Sequence, residues 1–85
     1  MMGFFEEEAA REEWRHGFAE RLLVLMENRG MNEAELRRRA DVSKSMLYYY
    51  LHGHSEPTGY VIVRLCRALG VSADVLLGIG AGDAE

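Results

Sequence analysis

One cysteine and one proline stand in a chain of 85 residues. A lone cysteine, Cys66, has no internal partner for a disulfide, so a reducing, intracellular setting and a cytoplasmic location are expected. With Pro57 the single proline, little interrupts helix, and nine glycines supply the punctuation. Long apolar runs are missing too. The longest, Leu22 to Met26 and Met46 to Leu51, hold five and six residues, against the roughly 20 a bilayer requires. The opening stretch is acidic where a secretory signal would be basic, so no membrane partner is expected. The residues also offer no nucleophile–base pair, no paired-carboxylate cleft, no metal-ligand cluster and no glycine-rich phosphate loop. No enzymatic activity, cofactor or metal is therefore expected. What is present, 48% hydrophobic and 28% charged residues, is an ordinary globular balance sufficient for one small domain.

The net charge of −4 argues against nucleic acid when taken as a total, yet it is unevenly placed. Residues 1 to 14 carry five acids (Glu6, Glu7, Glu8, Glu12, Glu13) against Arg11, and residues 78 to 85 add Asp83 and Glu85. The body, 15 to 77, carries nine basic side chains against seven acidic ones. The ends are acidic and the body mildly basic, less so than a tight DNA binder requires. Three sections follow: an acidic extension at 1–13, a folded domain at 14–78 and a tail at 79–85.

Five helices are expected. Trp14, Phe18, Leu22, Leu25 and Met26 form one apolar stripe, and this first helix can begin as early as Phe5. Gly30 fits the left-handed position that closes it. Asn32 caps a short second helix from Glu33 to about Ala40, with Glu35 at capping-box spacing and Met31 as staple. After a turn at Asp41, Ser43 caps a third helix from Lys44 to about His52, closed by Gly53. Thr58 caps a fourth, whose stripe is Ile62, Leu65, Cys66 and Leu69. Ser72 caps a last short helix with Val75, Leu76 and Leu77 as its apolar contact.

Two short helices joined by a tight turn, with apolar flanking helices, make a helix-turn-helix arrangement, here at about 33–52. The second helix of such a pair needs one side anchored and the other free for the major groove. Val42, Leu47 and Tyr50 are the expected anchor; Lys44, Ser45, Tyr48 and Tyr49 are the expected free side.

The stretch from Met31 to Gly53, with Val42-Ser43, Leu47, Tyr50 and Gly53 in order, resembles the Cro/phage-repressor (XRE-like) helix-turn-helix family. Pro57-Thr58, then Ala68-Leu69-Gly70-Val71-Ser72 and Leu76-Leu77, extend the likeness over roughly residues 18 to 78. The resemblance implies an all-α, five-helix DNA-binding domain of the lambda-repressor type, here with an N-terminal helical extension, acting as a dimer on a two-fold operator. Four positions depart from the family pattern: Glu33 stands where Gln is common, Arg37 where a small residue is common, Asp41 at the turn glycine and Gly59 at an apolar position of helix four. Glu33 could be neutralised by Arg37 one turn on.

The candidate DNA-contacting residues are Ser43, Lys44, Ser45, Tyr48, Tyr49, His52, His54 and Arg38. Lys44 and Ser45 sit where family members touch backbone or bases. Tyr48 and Tyr49 lack the fork of Arg, Asn or Gln, and suit phosphate contact by hydroxyl or packing on thymine methyls; intramolecular packing is the alternative for both. Arg37, Arg38 and Arg39 fan over about 200° of a helix, so only part of the run can meet one phosphate strand. His52 and His54 are read as loop histidines near the DNA backbone rather than metal ligands. Ser43 is also a cap, Tyr50 a core residue and Cys66 a structural thiol. Phe4, Phe5 and Trp14 are either an extension folded onto the domain or an apolar strip for dimerisation.

Two functions stand on these residues. One is a sequence-specific, double-stranded-DNA-binding transcriptional regulator, expected to be a repressor working as a homodimer. The other is a protein-interaction module that keeps the fold, engages a protein partner and has weak or lost DNA binding.

Overall fold

A computed structural model describes residues 3–79, apart from the side chains of Phe4 and Phe5. The reading of those two rings as an extension or a dimerisation strip, and nearly all of the tail expected at 79–85, thus lie outside the described residues. The fold is all-α: α1 (Phe4–Asn28), α2 (Glu33–Ala40), α3 (Lys44–Leu51), α4 (Gly59–Leu69) and α5 (Ala73–Leu77).

Local chemistry sets the boundaries. Asn32, Ser43, Thr58 and Ser72 each accept, through a side-chain oxygen, the backbone N–H three residues on, at 2.8–3.3 Å. Each cap satisfies one of the donors a helix start leaves free. The capping box expected at α2 is only half formed, because the Glu35 carboxylate turns to Arg39 instead, at 2.9 Å. At the other ends the chain turns left-handed, at Gly30 after α1 and at Asp41 after α2 (φ 57°). Asp41 can stand where the family has glycine because a short polar side chain enters this region at less cost than most.

One core serves all five helices. It takes Phe18, Leu22 and Met26 from α1, Leu36 and Ala40 from α2, Leu47 and Tyr50 from α3, Val61, Leu65, Cys66 and Leu69 from α4, and Leu76 from α5, with Val42 in the turn. Two stripes differ from expectation. On α4 the expected Leu65, Cys66 and Leu69 are buried, but Val61 joins them while Ile62 is only half-buried. On α5, Val75 is exposed and Leu76 alone is fully buried, since a helix of five residues can turn few positions inward.

α1 runs unbroken through residues 13 and 14, so the acidic extension and the domain share one rod. Its arginines fasten the other elements. The Arg21 Nε donates to the Leu76 carbonyl at 2.9 Å, at the end of α5, and the Arg29 Nη2 donates to Gly70 at 3.3 Å, just beyond α4. Both cations meet carbonyl-rich helix ends, where the dipole favours positive charge. No helix among the described residues is long and apolar enough to cross a membrane.

Arg21→Met keeps the apolar stem and removes the donor to Leu76. Charge-assisted hydrogen bonds contribute about 1.5–3 kcal/mol, and the substitution should lower stability by roughly that amount, measured by urea denaturation of the two proteins.

Candidate nucleic-acid interface

α3 is held along one side and open along the other. Leu47 is 0% and Tyr50 3% exposed. The Tyr50 ring meets Phe18 of α1 edge to face at 6.4 Å, and Phe18 in turn stacks on Trp14 at 5.4 Å. Burial pushes the Tyr50 phenol above its usual pKa, partly countered by Arg64, so it stays neutral in the core. Opposite, Lys44, Ser45, Tyr48, Tyr49 and His52 are all exposed. At 100° per residue they span about 140° of the helix, centred away from Leu47 and Tyr50.

The outer side is organised rather than loose. Tyr48 stacks on His52 with ring centroids 4.0 Å apart, and meets Tyr49 edge to face at 5.8 Å. The His52 Nδ1 lies 2.8 Å from the Tyr48 carbonyl oxygen. That oxygen only accepts, so Nδ1 carries the proton and the imidazole is locked over the tyrosine. His54 joins through the helix end. Gly53 adopts φ 72°, which returns the chain so that the His54 N–H reaches the Tyr49 carbonyl at 2.8 Å. This is the Schellman pattern, and it lays the His54 ring parallel to Tyr49 at 6.3 Å and beside His52 at 6.2 Å. Tyr48, Tyr49, His52 and His54 thus form one cluster, with Lys44 and Ser45 a turn behind on the same helix.

The remaining candidates stand apart from the rings. The Ser43 oxygen is engaged as the cap of α3, though its proton is free to donate. Arg38 is exposed and takes no ion pair among the described residues, whereas Arg39 is bound to Glu35. Arg37 is partly buried with its Nε unpartnered, and the pairing of Glu33 with Arg37 is not formed; the α2 pair lies two residues on, Glu35 to Arg39. No group of three or more His, Cys, Asp or Glu side chains is placed to hold a metal among the described residues. Cys66 is buried, and burial pushes its thiol above its usual pKa, which disfavours the reactive thiolate.

Sequence reasoning missed the brace on the α3–α4 loop. Glu56 receives the Arg11 Nε at 3.0 Å and the Arg15 Nη1 at 3.2 Å, and Arg15 also reaches Glu8 at 3.3 Å. The Arg11 and Arg15 guanidiniums hold the Glu56 carboxyl below the usual carboxylate range. His16 comes so near Gly53 that a Cβ built there would lie 2.6 Å from its Nδ1. Arg11 of the acidic extension and Arg15, just inside the domain, therefore hold the loop beyond the far end of α3. With 45 and 41 residues between partners, no periodicity could reveal this; the only hint was a lone acid in the loop facing the first basic residues of α1.

The short second helix, the left-handed turn, and a third helix anchored on one side define a helix-turn-helix protein. A helix-turn-helix family model matches residues 23–76, and the chain belongs to that family, the Cro/phage-repressor-like group; it is a DNA-binding transcription-regulator domain. No curated protein and no solved structure matches the chain significantly.

Two outcomes are expected here. Gly53→Ala places a side chain in the left-handed region, at about 1–2 kcal/mol, and should lower stability by that amount in urea denaturation. His16→Ala should recover only the small part due to ring displacement. Glu56→Gln removes the brace. Because the Glu56 carboxyl is lowered in the fold, the brace stabilises above the ordinary value of 4.5 and is lost as pH falls through the lowered value. The stability gap between wild type and Glu56→Gln should be full near neutral pH and close below pH 4.5, followed by denaturation at a series of pH values.

Proposed function

We propose that this chain is a sequence-specific transcriptional regulator that represses by occupying an operator as a homodimer in the cytoplasm. Two copies would set their α3 helices in successive major grooves about 34 Å apart. Lys44, with Ser43, Ser45 and Arg38, would supply phosphate contacts that fix register, and Tyr48, Tyr49, His52 and His54 would border the bases. One observation supports the reading above others: α3 is buried at Leu47 and Tyr50, yet its opposite side is left uncovered by the described residues.

A second reading, a protein-interaction module with weak or lost DNA binding, is favoured by where the cations go. Arg15, Arg21, Arg29 and Arg39 are all spent on internal partners, which leaves few for phosphates.

A mobility shift with pooled genomic duplexes separates the two. The regulator binds at low salt, Lys44→Glu binds less, and affinity falls about 3.5-fold per contacted phosphate between 50 and 200 mM salt. Enrichment of a palindrome from genomic DNA, with a dimer in sedimentation, supports the homodimer on a two-fold site. Absence of any shift, or a shift indifferent to salt and to Lys44→Glu, overturns the reading in favour of the protein-binding one.

A further inference from the structure

The major groove can be read in two chemically different ways. Hydrogen-bonding forks pick out guanine (Arg, Lys), adenine (Asn, Gln) and cytosine (Asp, Glu), while thymine alone offers an apolar group, its 5-methyl. The outer side of α3 carries no Arg, Asn, Gln, Asp or Glu. Its one charged fork-like candidate is Lys44, at the first position of the helix. Beyond Ser45, which follows it, the outer side is ring: Tyr48 is 50% and Tyr49 47% exposed, with His52 and His54 beside them.

The rings are also held in place, which is what selective contact needs. His52 stacks on Tyr48 at 4.0 Å and 25°, and its Nδ1–H is committed to the Tyr48 carbonyl. His54 lies parallel to Tyr49 at 24°, seated there by the Gly53 turn. Tyr48 therefore has an imidazole against one face, and Tyr49 has one alongside it at 6.3 Å. That arrangement disfavours sandwiching of a flipped or single-stranded base, which uses open ring faces. It suits contact with a small apolar group standing on a groove floor.

We propose that Tyr48 and Tyr49 are specificity-determining residues that select thymine by its 5-methyl group, making the target a duplex with thymines at the positions beneath these rings. The proposal rests on α3 being the reading helix. His52 and His54 act as positioning residues that stop the rings from turning away; Lys44 and Ser45 set the register at the helix start. Sequence choice then comes from methyl burial, each contacted methyl contributing about a fourfold preference. Such a reader discriminates gently at each position and gains selectivity by summing over several.

The test begins with duplex selection from a random pool by the full chain, then replaces thymine by uracil, which deletes only the methyl, one position at a time in the selected duplex. Uracil should weaken wild-type binding about fourfold at each position beneath a ring. Tyr48→Phe and Tyr49→Phe keep the ring and should retain that difference. Tyr48→Ala and Tyr49→Ala, at exposed positions that the core does not use, should bring the thymine-to-uracil ratio towards one, a change that a uniform loss of affinity would not produce. His52→Ala should reduce the ratio with Tyr48 intact. A selected duplex whose affinity is indifferent to uracil at every position overturns the proposal alone, as does a ratio unaltered in both alanine variants or tighter binding to single-stranded oligothymidine than to duplex. Failure to select any duplex overturns the regulator reading and this proposal with it.

Discussion

α3 can present a surface only because the opposite side is immovable. The contact that sets its rotation is the Tyr50 ring against Phe18, 6.4 Å between centroids and nearly perpendicular. Leu47 lies one turn back on the same buried side. Phe18 is itself held by Trp14 and sits on the longest helix, so α3 inherits the stiffness of a 25-residue rod. Aromatic pairs of this kind favour one offset geometry over others. A rotation of α3 by a single position would bury Tyr49 or Tyr48 and expose Tyr50, and the three successive tyrosines would exchange roles. Their identical chemistry and opposite fates follow from angle alone.

The charge distribution has a similar logic. A basic side chain can either tie the fold together or wait for a phosphate. Arg21 and Arg29 are spent on carbonyls at helix ends, Arg11 and Arg15 on Glu56, and Arg39 on Glu35. Arg64 lies over the Tyr60 ring at 4.8 Å. Lys44 and Arg38 remain exposed near the turn. A count of cations thus overstates the positive surface. The acidic extension is similarly misjudged by its net charge, since its one arginine, Arg11, joins Arg15 in holding the loop that returns from α3.

The helices were legible because their signals are local. Asn32, Ser43, Thr58 and Ser72 each cap within four residues, and Gly30, Gly53 and Gly70 mark left-handed ends. Tyr50 as core and Lys44 as surface were readable from the same 100° step. Where a stripe was misplaced, as at Val61 and Val75, the helix had more apolar residues than inward positions, and neighbours chose among them. The brace at Glu56 and the ring cluster were not legible. The brace depends on how distant segments come to lie, and the cluster on side-chain rotamers; spacing along a chain fixes neither.

The residue order by itself determined five helices, their caps, the family and the identity of the side chains on α3, because hydrogen-bonding caps and apolar periodicity act over one or two turns. Only tertiary structure decided which arginines are spent on distant partners. It also decided that α1 runs on to brace the end of the reading segment. Those outcomes are settled by close packing among elements tens of residues apart, where the space left by one side chain decides what its neighbour can do.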